Sequence, residues 1–461
     1  MLGKSLSDAT EYVERRTAAA AVTARDALLP VAFTFALMSL VAPKFSHTLL
    51  PAAFACLVLL HGRWAARQTT AQPMSFGSGF TSIYFIAAAL YLFARAVTAP
   101  QPASALALLA VFGAFLTMAW QMSRTLTGLH PIDQRKLAQG LLAGTLVGAV
   151  YLVAELLTSQ SIVTSILNHV PLLAGGRKGH FIIADDRIQS VRTYVLNRNI
   201  GVLNLLFWPV LLIAANEAER LKDLKSKLCV YALFFATFCA TFLSVHKTSK
   251  VALVFACAVF VLSKLSKRAA LSAMTVIWML ATLAVVPASR IAYDNGLQNS
   301  TVLAGSARAR IVIWNFEAQQ IPEAWLFGRG IQSVIYYDQL QAPTATVVPG
   351  ELSAQRNGHH SHNIYLQIWY ELGAVGALLF SIAGLLILRR IASMPTRSFP
   401  FAIAAFASVT AIMAFSWGLW QHWYFAAVCM SAAVLALAST GERTGGMRGA
   451  AETPSRTTSQ A

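Results

Sequence analysis

The chain has 461 residues, 56% of them hydrophobic and only 12% charged, with a mean hydropathy of +0.58. A soluble domain carries roughly a quarter of its residues charged; half that fraction leaves too little polar surface to face water and indicates a single large all-α polytopic membrane domain. The formal net charge of +17 reads as Lys and Arg marking loop ends, with a few kept for an anionic ligand, and not as a nucleic-acid surface.

Residues 1–26 are polar and of mixed charge (Lys4, Asp8, Glu11, Glu14, Arg15, Arg16). No small-residue cleavage site follows the first apolar run, so that run is expected to stay as an anchor. A bilayer core of about 30 Å takes around 20 apolar residues per helix. Apolar runs at 27–43, 47–62, 79–98, 102–121, 137–158, 199–215, 228–245, 249–264, 269–288, 366–388, 400–417 and 419–438 predict about 12 transmembrane helices. The first two and the last two are expected to form hairpins.

The chain then divides into a cytoplasmic segment 1–26, helices 1–9 over 27–288, a large outside loop 289–365, helices 10–12 over 366–438, and a disordered cytoplasmic tail 439–461. A second outside loop covers about 159–198. With the N-terminus inside, inside segments hold 22 Lys and Arg against 4 in the short outside loops, which places both termini in the cytoplasm. The five cysteines lie in apolar runs with no CxxC pair, as small buried hydrophobes do. No internal repeat is visible, which weakens an inverted-repeat transporter reading.

Two long loops on one side of a membrane point to function. They carry Arg177, Lys178, Arg187, Arg192 and Arg198, then Arg290, Arg308, Arg310, Arg329 and Arg356, and the turn between them adds His246, Lys247 and Lys250. Loop salt bridges to Asp185, Asp186, Asp294, Glu317, Glu323 or Asp338 explain some of these, but bases outnumber acids. An anionic substrate held by guanidinium forks accounts for the excess. Lys250 begins an apolar run, where a charge either snorkels or has a partner.

The densest cluster is His359-His360-Ser361-His362-Asn363, just before an apolar run. Metal ligation, general-base catalysis and plain helix capping are the readings open to it. Adjacent histidines share one ion poorly, and no Cys and few carboxylates stand near. A neutral His is a natural base for a sugar hydroxyl, and neighbouring arginines would keep it unprotonated by like-charge repulsion. The chain has no GxxxxGK[ST], HExxH, GxSxG or spaced acidic pair for a metal–nucleotide sugar, so no metal and no cofactor is expected.

His362-Asn363, nine residues, then Gly373-Ala-Val-Gly376 resembles the signature of O-antigen ligases, within the wider ligase and polymerase superfamily. Arg310-Ile-Val-Ile-Trp314 is similar to that family's Arg-x-x-x-Trp segment, with Arg308 just upstream. Ser249-Lys250 stands where the family has Ser-Arg before a transmembrane helix, and Arg192 and Arg198 resemble the basic residues before another. The resemblance implies a C-type glycosyltransferase-like fold in the bacterial inner membrane, its active site facing the periplasm. It implies transfer of O-antigen en bloc from undecaprenyl diphosphate to a hydroxyl of lipid A–core oligosaccharide, without nucleotide or metal and with inversion.

On that resemblance His362 is the base and Arg310 its catalytic partner. Arg192, Arg198, Lys250, Arg308 and Arg310 bind the diphosphate, and Asn363, Gly373, Gly376 and Trp314 are structural. O-antigen polymerase and protein O-oligosaccharyltransferase are the alternatives, which the spacing disfavours without excluding; a lipid-linked glycan or anion transporter would need charges deep in its spans, and apart from Glu155 and Lys250 the spans are nearly clean. The charge bias makes one direct prediction. A cysteine at Gln355 should react with an impermeant maleimide added from the periplasm and one at Thr453 should not; the reverse labelling overturns the orientation.

Overall fold

The computed structural model describes residues 26–65, 79–170, 180–184, 187–346 and 353–440. It is a helical bundle. Helices α1 (Asp26–Val41), α2 (Ser46–Ala65), α3 (Gly79–Val97), α4 (Pro102–Gly128), α5 (Pro131–Leu157) and the short α6 (Ser161–His169) precede a hairpin of β1 (Phe181–Ala184) and β2 (Arg187–Val191). Then come α7 (Asn197–Leu221), α8 (Leu224–Leu243), α9 (Lys247–Leu265), α10 (Lys267–Leu283), α11 (Val285–Asp294), α12 (Gly305–Gln320) and α13 (Ser333–Gln341). The chain closes with α14 (Ile364–Ala392), α15 (Phe399–Phe415) and α16 (His422–Ala438).

Burial sorts these helices. The span containing α7 is 89% buried, whereas that of α3 is 6% buried. Helix α7 is apolar all round (GVLNLLFWPVLLIAA), as a helix enclosed by others must be. Its Asn199 amide donates to the carbonyls of Leu40 (2.6 Å) and Val41 (3.0 Å), closing the open end of α1. Small residues allow the closest approach: a Cβ at Gly140 or Gly144 of α5 would stand 2.3 Å from a carbonyl oxygen of α1, so α5 lies directly on α1. Glu155, an acid in an otherwise apolar span, caps α6 by accepting the Val163 N–H at 2.9 Å.

Among the described residues seven helices are long and apolar enough to cross a membrane, or up to nine if each bent pair is one span. The count of twelve is therefore not confirmed. Helices α1 and α2 meet at a bend of 117°, and α10 and α11 at 69°, so the run expected as one span over 269–288 breaks at Ala284. The last two apolar runs do not form a hairpin: α15 packs on α9 and α7, and α16 on α4, α7 and α2. Segment 289–365 is largely helical, holding most of α11 with α12 and α13. The expectations for 1–25, 441–461, Arg177, Lys178, Asp185 and Asp186 lie outside the described residues.

Helix α14 is broken at Gly373, where φ is +62° and ψ −164°, a conformation open essentially only to glycine. Breaking a helix frees backbone groups that must find partners. Segment Trp325–Gly330 supplies them: Ala374 and Val375 N–H donate to the carbonyls of Trp325 (2.8 Å) and Leu326 (3.2 Å), and Arg329 and Gly330 N–H donate to those of Tyr370 and Glu371 (2.9 Å each). The Tyr91 hydroxyl donates to the Leu372 carbonyl and the Arg95 guanidinium to that of Gly328. Trp325, Leu326 and Phe327 remain exposed on the outer surface.

A Cβ at Gly373 would stand 2.5 Å from the Gly328 nitrogen. Gly373→Ala should cost about 1–3 kcal/mol from the backbone conformation alone, and more once the plugged segment is displaced. Gly113→Ala on α4, where a Cβ meets nothing within 4 Å, should be neutral. Thermal unfolding of the two variants in detergent checks this; equal melting temperatures would show that the plug does not hold the break.

Candidate active site

Helix α15 ends at Phe415 with its last carbonyls unsatisfied by the helix, the negative end of the helix dipole. Three segments converge on them. The Phe415 carbonyl accepts from Arg310 Nη1 of α12 at 2.5 Å and from Thr248 Oγ1 at the start of α9 at 3.0 Å. The Ser416 carbonyl faces His362 Nδ1 at 2.7 Å. The Ser416 hydroxyl meets His246 Nε2 at 3.1 Å, and His246 Nδ1 meets Ser249 Oγ at 2.7 Å.

These contacts assign the tautomer of His362. A carbonyl only accepts, so Nδ1 carries the proton and Nε2 keeps its lone pair. The backbone of His362 is left-handed, φ +51°, a conformation that costs energy in a residue with a side chain and is found at functional sites. Its N–H donates to His360 Nδ1 at 3.3 Å, and the two imidazoles lie 4.0 Å apart. His360 is thereby left with its proton on Nε2, the opposite tautomer.

Burial is the first cause that lowers the His362 pKa to about 4; the Arg310 charge adds to it and the Ser416 contact opposes it. Burial likewise takes His246 and His360 to about 3, with Arg310 acting on both. The sequence points to the arginines as the cause of this depression; in the folded chain, loss of water around the rings outweighs them.

Arg310 and Trp314 are one helical turn apart and share a face of α12. Trp314 Nε1 donates to the Ser361 carbonyl at 2.7 Å while Arg310 reaches Phe415, so the Arg-x-x-x-Trp spacing clamps α12 to both sides of His362. Asn363 caps α14, its Oδ1 accepting the Leu366 N–H at 3.2 Å. Gly376 sits just past the break, where a Cβ would meet Leu372 Cβ at 2.2 Å.

The other expected residues divide. The charge of Arg198, in the first turn of α7, acts on His360. Lys250 lies half-buried in the first turn of α9, beside Ser249, and its ammonium has no partner among the described residues. Arg308, two residues from Arg310, lies on a different face of α12, its Nε buried without a hydrogen bond. Arg192 is exposed, and no contact ties its side chain to the histidines. Three loop arginines have structural partners: Arg290 donates to the Ala318 carbonyl (2.7 Å), Arg329 pairs with Glu323, and Arg356 with Asp338 (3.2 Å). Asp338 also pairs with His359 at 3.4 Å, a histidine whose side chain is largely exposed.

Sequence reasoning passes over Ser416, which holds His362, gives His246 no role beyond its charge, and does not single out Glu371. The last has a signal: a Glu and a Gln one turn apart (Gln367, Glu371) inside an apolar run, where polar groups are kept for a purpose. Glu317 is fully buried facing Ser361, and its carboxyl is pushed well above the usual range by burial, then by Glu371 and Asp338.

Known proteins share part of the chain that builds this site; the family match reaches the second half of α14 but not the end of α15. A family model described as O-Antigen ligase matches residues 232–381, from α8 into the second half of α14. Two proteins named "Putative polysaccharide ligase", from Rickettsia conorii and Rickettsia felis, are 24% identical over 245 and 275 residues, 51% and 58% of this chain. The matches cover 56% and 63% of those relatives, less than two thirds of their length. His246, Arg310, Trp314, His362, Asn363, Gly373 and Gly376 all fall within the matched segment, and residues 232–381 thus carry the likeness to the O-antigen ligase family that the His-Asn and Gly-x-x-Gly spacing indicates.

Proposed function

We propose that this protein is an O-antigen ligase of the bacterial inner membrane. It moves O-antigen polysaccharide en bloc from undecaprenyl diphosphate to a hydroxyl of lipid A–core oligosaccharide at the periplasmic face. The observation that carries the reading is His362, with Nδ1 fixed on the Ser416 carbonyl, Nε2 open, and the Arg310 guanidinium close enough to shift its titration. A base beside a cation suits a reaction that takes a proton from an acceptor while negative charge grows on a leaving group.

In the proposed step the acceptor oxygen attacks the anomeric carbon and gives its proton to His362 Nε2. The bond from that carbon to the diphosphate oxygen breaks, and the diphosphate leaves with the electron pair. Attack opposite the leaving group inverts the anomeric centre. Arg310, with four of its five N–H donors free of the Phe415 contact, stabilises the departing charge. Lys250 and Arg198 are further candidates for the diphosphate; Arg308 and Arg192 are weaker ones, given where they lie. A bound diphosphate would offset the Arg310 charge and raise the His362 pKa from about 4 toward the working range of a base.

Two predictions test this with purified enzyme in detergent and defined donor and acceptor. Arg310→Ala should lower turnover severely and Arg310→Lys should restore part of it, because the ammonium keeps charge but loses the fork. Normal ligation by Arg310→Ala would make it a clamp for Phe415 alone.

His362→Ala should lose about 10²–10⁴-fold in rate, the usual worth of positioned proton transfer, while still binding donor lipid. His359→Ala should be mild, and EDTA should have no effect. Since the base acts deprotonated and its pKa lies at about 4, kcat/KM should hold level through neutral pH and fall only as pH approaches that value. Strong turnover by His362→Ala, or loss of wild-type turnover on chelation with rescue by a divalent ion, defeats the mechanism.

A further inference from the structure

Beside His360 opens a cleft of about 260 Å³, between the start of α13, the first half of α14 and the connection from α15 to α16. Its floor is Glu371, buried and accepting from the backbone N–H of Gln332 (3.0 Å) and Val334 (3.3 Å), the Gln367 amide (3.0 Å) and the Trp420 indole N–H. Two backbone and two side-chain donors on its oxygens make Glu371 a fixed point for its neighbours. The Trp420 ring is set by that contact and by the edge of Phe112, centroids 5.5 Å apart. Gln332 is held left-handed, φ +64°, a strain characteristic of a functional wall.

Two observations point to an occupant. The Gln421 side-chain oxygen, in a residue that lines the cleft, is buried and accepts no hydrogen bond, a deficit that costs free energy unless a donor arrives. His360 also lines the cleft and carries its proton on Nε2, since Nδ1 is taken by the His362 N–H. An aromatic ring, an amide oxygen wanting a donor and an uncharged N–H describe a wall for a neutral polyhydroxylated ring. An anion belongs instead at Arg310, beyond His362. The volume is somewhat below the roughly 300–1,000 Å³ of pockets for drug-sized ligands, hence one or two sugar rings. At Gly418 a Cβ would come within 2.6 Å of His360 Cβ, so only glycine leaves this wall in place.

We propose that the cleft bounded by His360, Trp420 and Gln421 is the acceptor-sugar subsite. The ring to be glycosylated, or the one next to it, lies on Trp420, and the Gln421 side chain turns into the cleft so that its oxygen, buried in the empty cleft, accepts from a hydroxyl. The inference rests on the glycosyl-transfer reading above and extends it by giving the acceptor its own place, apart from the diphosphate.

The test is steady-state kinetics of the full chain in detergent, with lipid A–core glycolipid as acceptor and a labelled undecaprenyl-diphosphate glycan as donor. Gln421→Leu and Trp420→Ala should each raise the acceptor KM about tenfold, the scale of one lost polar or stacking contact, with donor KM unchanged. Trp420→Phe should recover most of the Trp420→Ala loss, because the ring face returns. An unchanged acceptor KM in Gln421→Leu, or a donor KM that rises instead, overturns the subsite. Failure of the wild-type enzyme to glycosylate lipid A–core at all would defeat the functional reading, a different result from failure of the cleft.

Discussion

The site hangs on two backbone carbonyls. Where α15 stops, Phe415 and Ser416 present oxygens that no further turn of helix can satisfy, and the negative end of the helix dipole sits there. Arg310, Thr248 and His362 fill that vacancy from three separate segments, and the Ser416 hydroxyl adds His246. Backbone oxygens are fixed by the helix itself, with no rotamer to choose. They hold an imidazole and a guanidinium in register more rigidly than side-chain partners would.

A second constraint complements the first. The break in α14 frees backbone groups in an apolar setting; Trp325–Gly330 satisfies four of them and the Tyr91 hydroxyl takes the Leu372 carbonyl. The segment between α12 and α13 is therefore bound to the helix that begins just after His362. Glu371, in the same half-helix, ties the start of α13 to the α15–α16 connection through Gln332, Val334 and Trp420. One short stretch, Ile364 to Leu372, locates His362 at its N-terminus and a cleft along its side.

Much of this is legible in the residues, for physical reasons. Low charge and apolar runs indicate a polytopic helical protein because nothing else keeps such a chain in place. The Arg310-x-x-x-Trp314 and His362-Asn363 spacings are legible as a family resemblance, and Gly373 as a place where a helix bends or packs closely. The span count is not legible, since the break at Ala284 leaves no gap in hydropathy and the runs 27–43 and 47–62 do not show whether they cross separately or as one bent pair. Helices α12 and α13 are hidden in an expected loop because their faces are too mixed to show a period. The Ser416 carbonyl cannot be foreseen at all: any residue has a carbonyl, and only the fold says which one is open. Excess positive charge overstates the ligand set, because the partners of Arg290 and Arg329 include a backbone oxygen and an acid that counting cannot match to them.

The contact between His362 Nδ1 and Ser416 has one further consequence on the proposed reading. An imidazole tied down by one nitrogen has a single working edge, the one that receives the acceptor's proton. It cannot pass that proton out through its other side, as a freely rotating histidine could. The proton must return through the space the acceptor occupied, so the enzyme recharges only after the finished glycolipid has moved away. Product departure and restoration of the base become a single event, and a second acceptor cannot be activated while the first lingers.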